Sequence, residues 1–483
     1  MAAINGQSGG VPLTTERETS IDAQAHPLPV FHGRGPRASR IDAGKAARRR
    51  VPRSRLADCE LPHRDGIALL EASNEGRLAE LIPIRYGRMV ASPFGFYRGA
   101  AALMAFDLAQ LPHTDIFVQL TGDAHLANFG LFASPERRVL FGPNDFDETL
   151  PGPFDWDVRR LAVSFVVAAR ERGFGAPVQS DVVRRFCATF RHYIDAFSEM
   201  DVLDVWYHQF TADSMLAHAD SPKERRMERA VVTRARNRTS HTEMEHSTAR
   251  VGGRLRIKDD PPLVYHYPVT NRRNAALFDD TVRHFIADFR DTLPDERRAL
   301  FDRYELVDIA VRVVGVGSVG TRCWVALFMA EGKYPLFLQI KEARASVLER
   351  YLPPSRYANH GQRVVTGQRL LQSASDIFLG WATSRINGTD FYVRQLRDMK
   401  GAFDLAVFDE RDLSEYAALC GHALAHAMAK SGDPALIAGY AGSSEAFDDA
   451  LTRFSTTYAD RNERDWMVLK SAVKAGRIRA IRE

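Results

Sequence analysis

Strand-like sequence lies in the middle of this chain, with helical sequence on both sides of it. After Leu306, Val, Phe, Leu and Ile alternate between glycines through "DIAVRVVGVGSVGTRCWVALFMAEGKYPLFLQIKEA", which predicts a three-stranded antiparallel meander. A helix, "HGQRVVTGQRLLQ", and two more strands, "SDIFLGWA" and "DFYVRQL" around the turn "INGT", complete the segment. The pattern therefore predicts an α+β fold in which a small antiparallel-sheet lobe is inserted between two mostly helical parts.

Long amphipathic patterns predict helices before and after this segment, for example "FDWDVRRLAVSFVVAARERG" and "LSEYAALCGHALAHAMAKSGD". The first sixty residues are rich in Gly, Pro, Ser, Ala and Arg without an apolar period, which indicates a disordered basic arm. Binding of an acidic partner through Arg48, Arg49 and Arg50 is the alternative to a solvated tail. We expect four regions: the arm at 1–60, a mostly helical lobe at 61–304, the β-rich lobe at 305–400, and helices completing the large lobe at 401–483.

Composition argues against several classes of protein. Lys and Arg total 65 against 61 Asp and Glu, a net charge of +4, so nucleic-acid binding is not predicted. The cysteines are scattered without a C-x-x-C pair, so neither a zinc module nor a disulfide framework is indicated. No apolar run approaches the roughly 18 residues of a membrane span, and "MAAINGQSGG" does not resemble a secretory signal. We expect a cytoplasmic protein that does not associate with membranes.

The stretch "FVQLTGDAHLANFG" places polar groups at the end of an apolar strand. Gly122 permits a tight loop, on which Asp123 and Asn128, five residues apart, can face one point. Asp123 would orient a hydroxyl or accept its proton, and the Asn128 oxygen would help to hold a hard cation. A second strand ends at "DFDE", where Asp145 offers the carboxylate that Mg²⁺ prefers beside phosphate oxygens. Three further side chains are supporting candidates: His125 and Asp147 on these loops, and Arg98 of "FYRGAA".

The stretch "GVGSVG" contains Gly315, Gly317 and Gly320 in a G-x-G-x-x-G arrangement. A strand-like segment, "TRCWVALFM", follows it instead of a helix, which favours a hairpin folded over phosphates and disfavours a dinucleotide loop. A later strand ends in "FLQIK" and puts Lys341 where its ammonium could reach phosphate oxygens. Together these two features predict the phosphate-binding half of a nucleotide site.

"GDAHLAN" resembles the catalytic loop of aminoglycoside phosphotransferases and their relatives in the protein-kinase-like superfamily, and "NDFDET" resembles their metal-binding motif. The combination of "FYRGAA", "GDAHLANFG", "NDFDET", "FDWDVRRLAVS", "GQRLLQSASDIFLGW" and "YADRNERD" is similar to the domain-of-unknown-function 2252 family, uncharacterised bacterial proteins that resemble that superfamily. The similarity covers most of the chain beyond residue 60.

The resemblance implies a two-lobed kinase-like fold with ATP and Mg²⁺ as cofactors. It implies Asp123 as catalytic base, Asn128 and Asp145 as metal ligands, and Lys341 as the phosphate-pairing lysine under the loop of Gly315 to Gly320. The reaction would be transfer of a phosphoryl group to an unidentified small-molecule acceptor, with transfer of a whole nucleotide as an alternative.

Two departures from the kinase pattern stand out. Kinases place the glycine loop before the catalytic loop, whereas here Asp123 precedes Gly315 by 192 positions, which a circular permutation would accommodate. The helix "GQRVVTGQRLLQ" also lacks the acid that would hold Lys341, leaving Glu342 and Glu349 as the nearby acids. The missing acid favours an alternative, a non-catalytic nucleotide-binding module of pseudokinase type.

Other interpretations remain for the individual motifs. "GDAH" is also typical of metal-dependent phosphoesterases, in which Asp and His join a two-metal centre, although no G-N-H-D-like block follows. His422 and His426 have the spacing of a zinc pair without its acid, so we expect a packed histidine pair. Arginines near the motifs could bind an anionic substrate or form ion pairs with Asp155 and Asp157, and we expect ion pairs for all three, Arg98, Arg159 and Arg160.

Overall fold

The computed structural model describes residues 35–217, 221–266, 272–313, 319–396 and 398–481, together with positions 315 and 317. The N-terminal helices are α1 (Arg37–Ala47), α2 (Gly66–Ala72), α3 (Ile82–Val90), α4 (Pro93–Gly99) and α5 (Ala101–Ala109). The strands that follow are β1 (Phe117–Leu120), β2 (Phe129–Ala133), β3 (Val139–Pro143) and β4 (Leu150–Pro153). The next helices are α6 (Phe154–Glu171), α7 (Ala176–Glu199), α8 (Val202–Tyr207), α9 (Ala212–Ala217), α10 (Pro222–Arg236) and α11 (Ser240–Ser247).

Strands dominate the next part of the chain. It begins with β5 (Thr248–Val251), β6 (Arg254–Ile257), β7 (Val264–Tyr265), α12 (Arg272–Asp291) and α13 (Asp295–Phe301). It continues with β8 (Glu305–Arg312), β9 (Cys323–Ala330), β10 (Tyr334–Ala343), α14 (His360–Leu371), β11 (Gly380–Thr383) and β12 (Asp390–Gln395). The C-terminal helices are α15 (Glu410–Ser431), α16 (Pro434–Ala441) and α17 (Ala446–Lys474). The predicted α+β class is therefore confirmed.

A six-stranded antiparallel sheet has the strand order β11-β12-β10-β9-β8-β7. The predicted meander is confirmed as β8, β9 and β10, which pair in antiparallel register. The helix predicted after it is α14, and the strands predicted around "INGT" are β11 and β12. Since neighbouring residues of a strand project to opposite faces, Ile340 and Lys341 of β10 point in opposite directions. Ile340 packs with Phe289 and Phe301 of α12 and α13, so Lys341 lies on the other face.

The structure moves one predicted boundary. We expected the β-rich region to begin at residue 305, but β7 pairs with β8, and α12 and α13 cover one face of the sheet. The sheet-containing unit therefore begins near Val264. An amphipathic helix pattern shows that a helix has an apolar face but not which sheet or helix covers it, so the sequence assigned α12 to the wrong neighbour.

The predicted disordered arm is wrong for residues 37–47, which form α1, while residues 1–34 lie outside the described residues. Helix α1 packs against α16 through two glycines, because a Cβ on Gly44 would lie 2.1 Å from Leu436 O and one on Gly439 would lie 2.2 Å from Ile41 O. Arg48 also donates hydrogen bonds to the carbonyl of Gly439 (2.5 Å). Contacts made by glycine and arginine leave no apolar period in the sequence, which explains the error.

Helices from both ends of the chain share the largest core. Phe154 of α6, Phe190 of α7 and Phe447 of α17 stack on one another, with ring centroids 6.4 Å apart. The buried side of α15 packs in the same core. Two short antiparallel strand pairs, β1 with β4 and β2 with β3, pack against this core. The loops that contain Asp123 and Asp145 follow β1 and β3. In the described part of the chain, no helix combines the length and apolarity needed to cross a bilayer.

Candidate functional site

The loop after β1 is held in place by the N-terminal turn of α6. Asp157 accepts hydrogen bonds from the backbone N–H groups of Thr121 (2.6 Å) and Gly122 (3.1 Å). Burial raises the pKa of Asp157 to about 6, and the hydrogen bonds from Thr121 oppose that rise. We expected Asp157 to form a structural ion pair, but its carboxylate fixes the backbone next to Asp123.

Gly122 brings the acidic loop after β3 close to the end of β1. Its φ is +82°, and a Cβ there would lie 2.1 Å from the carbonyl oxygen of Glu148. The Glu148 carboxylate accepts a hydrogen bond from Val347 N (2.7 Å), just after β10. The two loops and the end of the sheet strand are therefore joined around Gly122.

Asp123 forms a buried ion pair with Arg160 of α6. Oδ1 of Asp123 lies 2.6 Å from Nε and 2.5 Å from Nη2 of Arg160. Burial raises the pKa of Asp123 to about 6, although the Arg160 charge and hydrogen bond lower it. The carboxylate is thus ionised at neutral pH with Oδ1 held, which leaves Oδ2 for another partner.

Sequence reasoning expected Arg160 to pair with Asp155 or Asp157, and that expectation is wrong. Asp155 instead accepts hydrogen bonds from the N–H (2.9 Å) and hydroxyl (2.6 Å) groups of Thr114. A signal was present in the sequence, because Asp157 and Arg160 have the i, i+3 spacing that puts two side chains on one helix face. That face meets the loop after β1.

His125 and Asn128 lie on the same loop as Asp123. Nε2 of His125 is 3.9 Å from Oδ2 of Asp123, and burial holds the pKa of His125 well below its ordinary value, so the imidazole is neutral. Asn128 donates a hydrogen bond from Nδ2 to the Asp123 carbonyl (3.0 Å) and accepts one at its own carbonyl from Asn144 N (3.0 Å). Asn128 therefore links the loop of Asp123 to the strand end that carries Asp145.

Lys341 of β10 reaches the acidic loop that follows β3. Its ammonium forms a close ion pair with Oδ2 of Asp147 and lies 3.9 Å from Oδ1 of Asp145. Tyr392, the cross-strand neighbour of Lys341 on β12, donates a hydrogen bond to Oδ1 of Asp147 (2.8 Å). Burial alone would lower the pKa of Lys341, but Asp145 and Asp147 raise it above its ordinary value. The lysine is therefore a permanent cation in contact with two carboxylates.

Neither acid that the sequence left as a partner for Lys341 reaches it. Glu342 accepts hydrogen bonds from the backbone and side chain of Arg322 (2.8 and 3.1 Å). Glu349 caps its own turn at Ser346 N (2.9 Å). On α14, the buried Arg363 donates hydrogen bonds to two backbone carbonyls of the acidic loop, those of Asp147 (2.8 Å) and Thr149 (2.6 Å).

The glycine-rich stretch connects β8 to its antiparallel neighbour β9, which confirms the hairpin. That this hairpin folds over phosphates stays a prediction. Gly320 has φ +91°, and a Cβ there would lie 3.0 Å from the side chain of Arg77. Arg77 donates hydrogen bonds to the carbonyls of Val319 (2.6 Å) and Gly317 (3.0 Å). A Cβ on Gly315 would lie 4.0 Å from Nη2 of Arg98. The described part of this loop thus faces Arg77, which lies between α2 and α3, and Arg98 of α4.

These groups meet in one cavity. Its charged lining residues are Arg77, Arg85, Arg98, Asp123, Asp145, Asp147 and Glu148. Gly317 lines it too, and also lines an adjoining cleft of about 420 Å³. The structure therefore brings Asp123, Asp145, Asp147 and the glycine loop to one place, with Lys341 bound to the acids at its edge.

Among the described residues, one carboxylate oxygen at this cavity is free to bind a divalent cation. Oδ1 of Asp145 is buried and accepts no hydrogen bond from any described residue. Mg²⁺ commonly takes one or two protein carboxylates together with substrate phosphates. Among the residues that the structure describes, no three His, Cys, Asp or Glu side chains form a group that could hold a metal ion. The arrangement suits a cation that arrives with phosphate more than one held by protein ligands alone.

The remaining motifs lie away from the cavity. His422 and His426 belong to an aromatic cluster: His422 stacks on Tyr193 with centroids 3.7 Å apart, and His426 Nε2 contacts the Val205 carbonyl at 2.9 Å. Arg159 is buried in the helical core, where it donates to the Pro112 carbonyl (2.7 Å). It also forms the expected ion pair with Asp155, in which Nε lies 3.8 Å from Oδ2.

A family model described as "Uncharacterized protein conserved in bacteria (DUF2252)" matches residues 77–472. Comparisons with curated proteins and with solved structures gave no match. The matched segment contains both acidic loops, the glycine loop and Lys341. All the residues that line the cavity from Arg77 onwards are therefore part of the segment that the family shares.

Proposed function

We propose that in this chain, which belongs to the DUF2252 family, the site transfers a phosphoryl group from ATP, with Mg²⁺, to a small-molecule acceptor. The proposed fold is a two-lobed, protein-kinase-like one in circularly permuted order, with the sheet-containing lobe in the middle of the chain. One observation carries the proposal: Lys341 of β10 meets Asp145 and Asp147 at a cavity that Asp123 also lines. A cation from the sheet and acids from the helical part are the elements that phosphoryl transfer requires.

Asp123 is the proposed base. Arg160 holds Oδ1, so Oδ2 can accept a hydrogen bond from the acceptor hydroxyl and fix its direction of attack. The acceptor oxygen forms a bond to the terminal phosphorus while the bond from phosphorus to the bridging oxygen breaks. ADP leaves with the electron pair of that bond, and the hydroxyl proton passes to Asp123.

The proposed cation-binding residues are Asn128 and Asp145, with Asp147 beside them. Mg²⁺ bound there would neutralise charge on the phosphate oxygens. Lys341 would exchange its contact with Asp147 for phosphate oxygens when nucleotide binds. The glycine loop would cover the phosphates, because Gly317 lines the same cavity and lacks a side chain that would fill it.

Isothermal titration of the full chain with ATP and Mg²⁺ tests this proposal. Wild type is compared with Asp145→Ala and Lys341→Ala, and with Asp42→Ala, which removes an exposed carboxylate remote from the cavity. We expect Mg²⁺-dependent binding that both site variants weaken and the control retains. Wild-type protein that binds no nucleotide would show that the proposal is wrong.

A non-catalytic nucleotide-binding module is the second candidate. The side chain of α14 that contacts the acidic loop, among the described contacts of that loop, is Arg363 and not a carboxylate. The absence of a helix acid there favours a non-catalytic module. Product analysis with [γ-³²P]ATP and a panel of small hydroxyl compounds separates the candidates. Label in an acceptor, lost in Asp123→Asn, supports transfer, whereas unchanged ATP supports the binding module. Release of labelled pyrophosphate in place of ADP would indicate nucleotidyl transfer.

A further inference from the structure

Arg98 lies in the last turn of α4, and the end of that helix is fastened to α6. The hydroxyl of Tyr97 donates to the Arg160 carbonyl (2.6 Å), and Nη2 of Arg160 donates to the Tyr97 carbonyl (3.1 Å). Arg160 is also the residue that holds Asp123. The backbone of Arg98 is therefore fixed relative to the carboxylate of Asp123 by a single shared guanidinium group.

The guanidinium of Arg98 has no protein partner in the part of the chain that the structure describes. Its Nε is buried and makes no hydrogen bond there. We expected an ion pair with Asp155 or Asp157, but Asp155 pairs with Arg159. Asp157 instead binds the backbone of the loop after β1. Burial lowers the pKa of Arg98, while the more distant charges of Asp123 and Asp145 raise it. The residue stays cationic, with hydrogen-bond donors still to be used.

The other cations at this cavity already have partners. Arg85 donates to Oδ1 of Asn74 (2.6 Å) and to the Gly99 carbonyl (2.8 Å). Arg77 is bound to carbonyls of the glycine loop, and Lys341 is bound to Asp147. Arg98 is half-buried and its Nε is fully buried, so donors that have no described protein partner are costly, and a ligand that this cavity admits would satisfy them.

The position of Arg98 indicates which part of a ligand it would meet. Its Nη2 lies 4.0 Å from a Cβ built on Gly315 of the glycine loop, and its carbonyl oxygen lies 3.7 Å from a Cβ built on Gly317. It lines the cavity together with Asp123 and Asp145. Lys341 approaches the acids from the sheet, whereas Arg98 approaches from the helical part, on the side of the proposed base. This position suits the phosphate that is leaving the nucleotide.

We propose that Arg98 is a catalytic residue that binds the terminal phosphate of the nucleotide at the point where the phosphoryl group passes to the acceptor. This inference rests on the proposed function. A guanidinium donates two parallel N–H bonds to phosphate oxygens, and its fixed charge stabilises the negative charge of those oxygens during transfer. Arg98 and Lys341 would then hold the transferred group from two sides, with Asp123 directing the acceptor towards it.

Titration calorimetry with ATP, ADP and inorganic tripolyphosphate, each with Mg²⁺, tests the assignment in the full chain. The variants are Arg98→Met and Arg98→Lys, with Arg356→Met as a control that removes an exposed arginine. We expect Arg98→Met to weaken ATP binding about tenfold or more and ADP binding less than about twofold, since only ATP has the terminal phosphate. Arg98→Lys should recover part of the loss, and Arg356→Met should bind both nucleotides like wild type.

Thermal unfolding of the same variants separates a ligand-binding arginine from a structural one. Because Arg98 has no described partner to lose, Arg98→Met should have a Tm equal to or above that of wild type. Equal weakening of ATP and ADP, or a lowered Tm with unchanged selectivity, would overturn the assignment.

The tripolyphosphate arm distinguishes this inference from the proposed function. If wild type binds tripolyphosphate but no ATP, and Arg98→Met abolishes that binding, the nucleotide donor is wrong and Arg98 remains a phosphate-binding residue. If wild type binds neither compound, both proposals are overturned.

Discussion

Lys341 and Asp147 are 194 positions apart in the chain and form an ion pair at the edge of the cavity. Asp145 is the second carboxylate at this ammonium, at 3.9 Å. Two carboxylates against one ammonium leave one net negative charge, which attracts a divalent cation. The pair also joins β10 of the sheet to the acidic loop of the helical part, so the protein uses one contact to connect two regions and to prepare a binding site.

Replacing Lys341 by Met should destabilise the fold as well as the site. The Lys341 side chain is 4% exposed, and the loss of its ammonium leaves Asp145 and Asp147 close together without a compensating charge. We expect a loss of about 1–3 kcal/mol in the free energy of unfolding, below the value for fully buried pairs because both carboxylates are partly exposed. Urea denaturation measures it. Lys333→Met, an exposed lysine in the turn between β9 and β10, is the matched control and should change little. An equal effect of the two substitutions would contradict the structural role of Lys341.

Turnover should depend on the ionisation of Asp123. Burial raises its pKa to about 6 from an ordinary 3.8, so the fraction in the basic form increases through pH 6. We expect the rate of ATP consumption to rise between about pH 5 and 7 with a midpoint near 6, and Asp123→Asn to abolish it. The free energy of unfolding changes with pH in the opposite direction to the rate, because between pH 3.8 and 6 the folded state binds more protons than the unfolded state. The contribution of Asp123 to stability therefore falls as pH rises through this window. A flat rate profile over it would argue against Asp123 as base.

Two neighbouring arginines of α6 allow a matched comparison. Arg160→Met removes the charge that lowers the pKa of Asp123, so the midpoint of the rate profile should move to higher pH. Arg159→Met removes a buried arginine bound to the Pro112 carbonyl, so it should lower the Tm without moving the midpoint. Rate profiles and thermal unfolding of both variants check this pair. A midpoint shifted equally by both would mean that Arg160 has no special effect on Asp123.

The glycine loop offers a similar comparison. Gly320 and Gly332 both have positive φ, +91° and +64°, so an alanine is strained at either position. Only at Gly320 would the new Cβ also meet the side chain of Arg77, at 3.0 Å, whereas at Gly332 it would meet open space. We expect Gly320→Ala to lower nucleotide affinity by about tenfold and Gly332→Ala to leave it unchanged, with both losing about 1 kcal/mol of stability. Calorimetric titration and urea denaturation give the two quantities.

Much of the fold was predictable because its signals are local. Alternating apolar residues between turn-forming glycines identified β8, β9 and β10, and the strand ends carrying Asp123 and Asp145 followed from apolar runs that stop at acids. Lys341 was placed at the end of β10 by the same pattern. These features depend on residues within a few positions of one another, which a single sequence contains.

The contacts that assemble the cavity were not predictable in this way. Arg160 binds Asp123 from 37 positions away, and Arg77 binds Gly317 from 240 positions away. Any of the many arginines could have met any of the many carboxylates, and no periodicity selects the pair. The sequence thus predicted which side chains end the strands but not the cations that hold them.

Position 122 shows how strictly the close approach of two loops can limit evolutionary change. The carbonyl of Glu148 occupies the space that any Cβ at Gly122 would need. Every missense substitution of a glycine codon adds at least that atom, so no amino-acid replacement is conservative here. A descendant of this protein that has another residue at position 122 must have moved the acidic loop away from the end of β1. The identity of one residue in a related sequence can therefore serve as a marker for whether the two loops still meet.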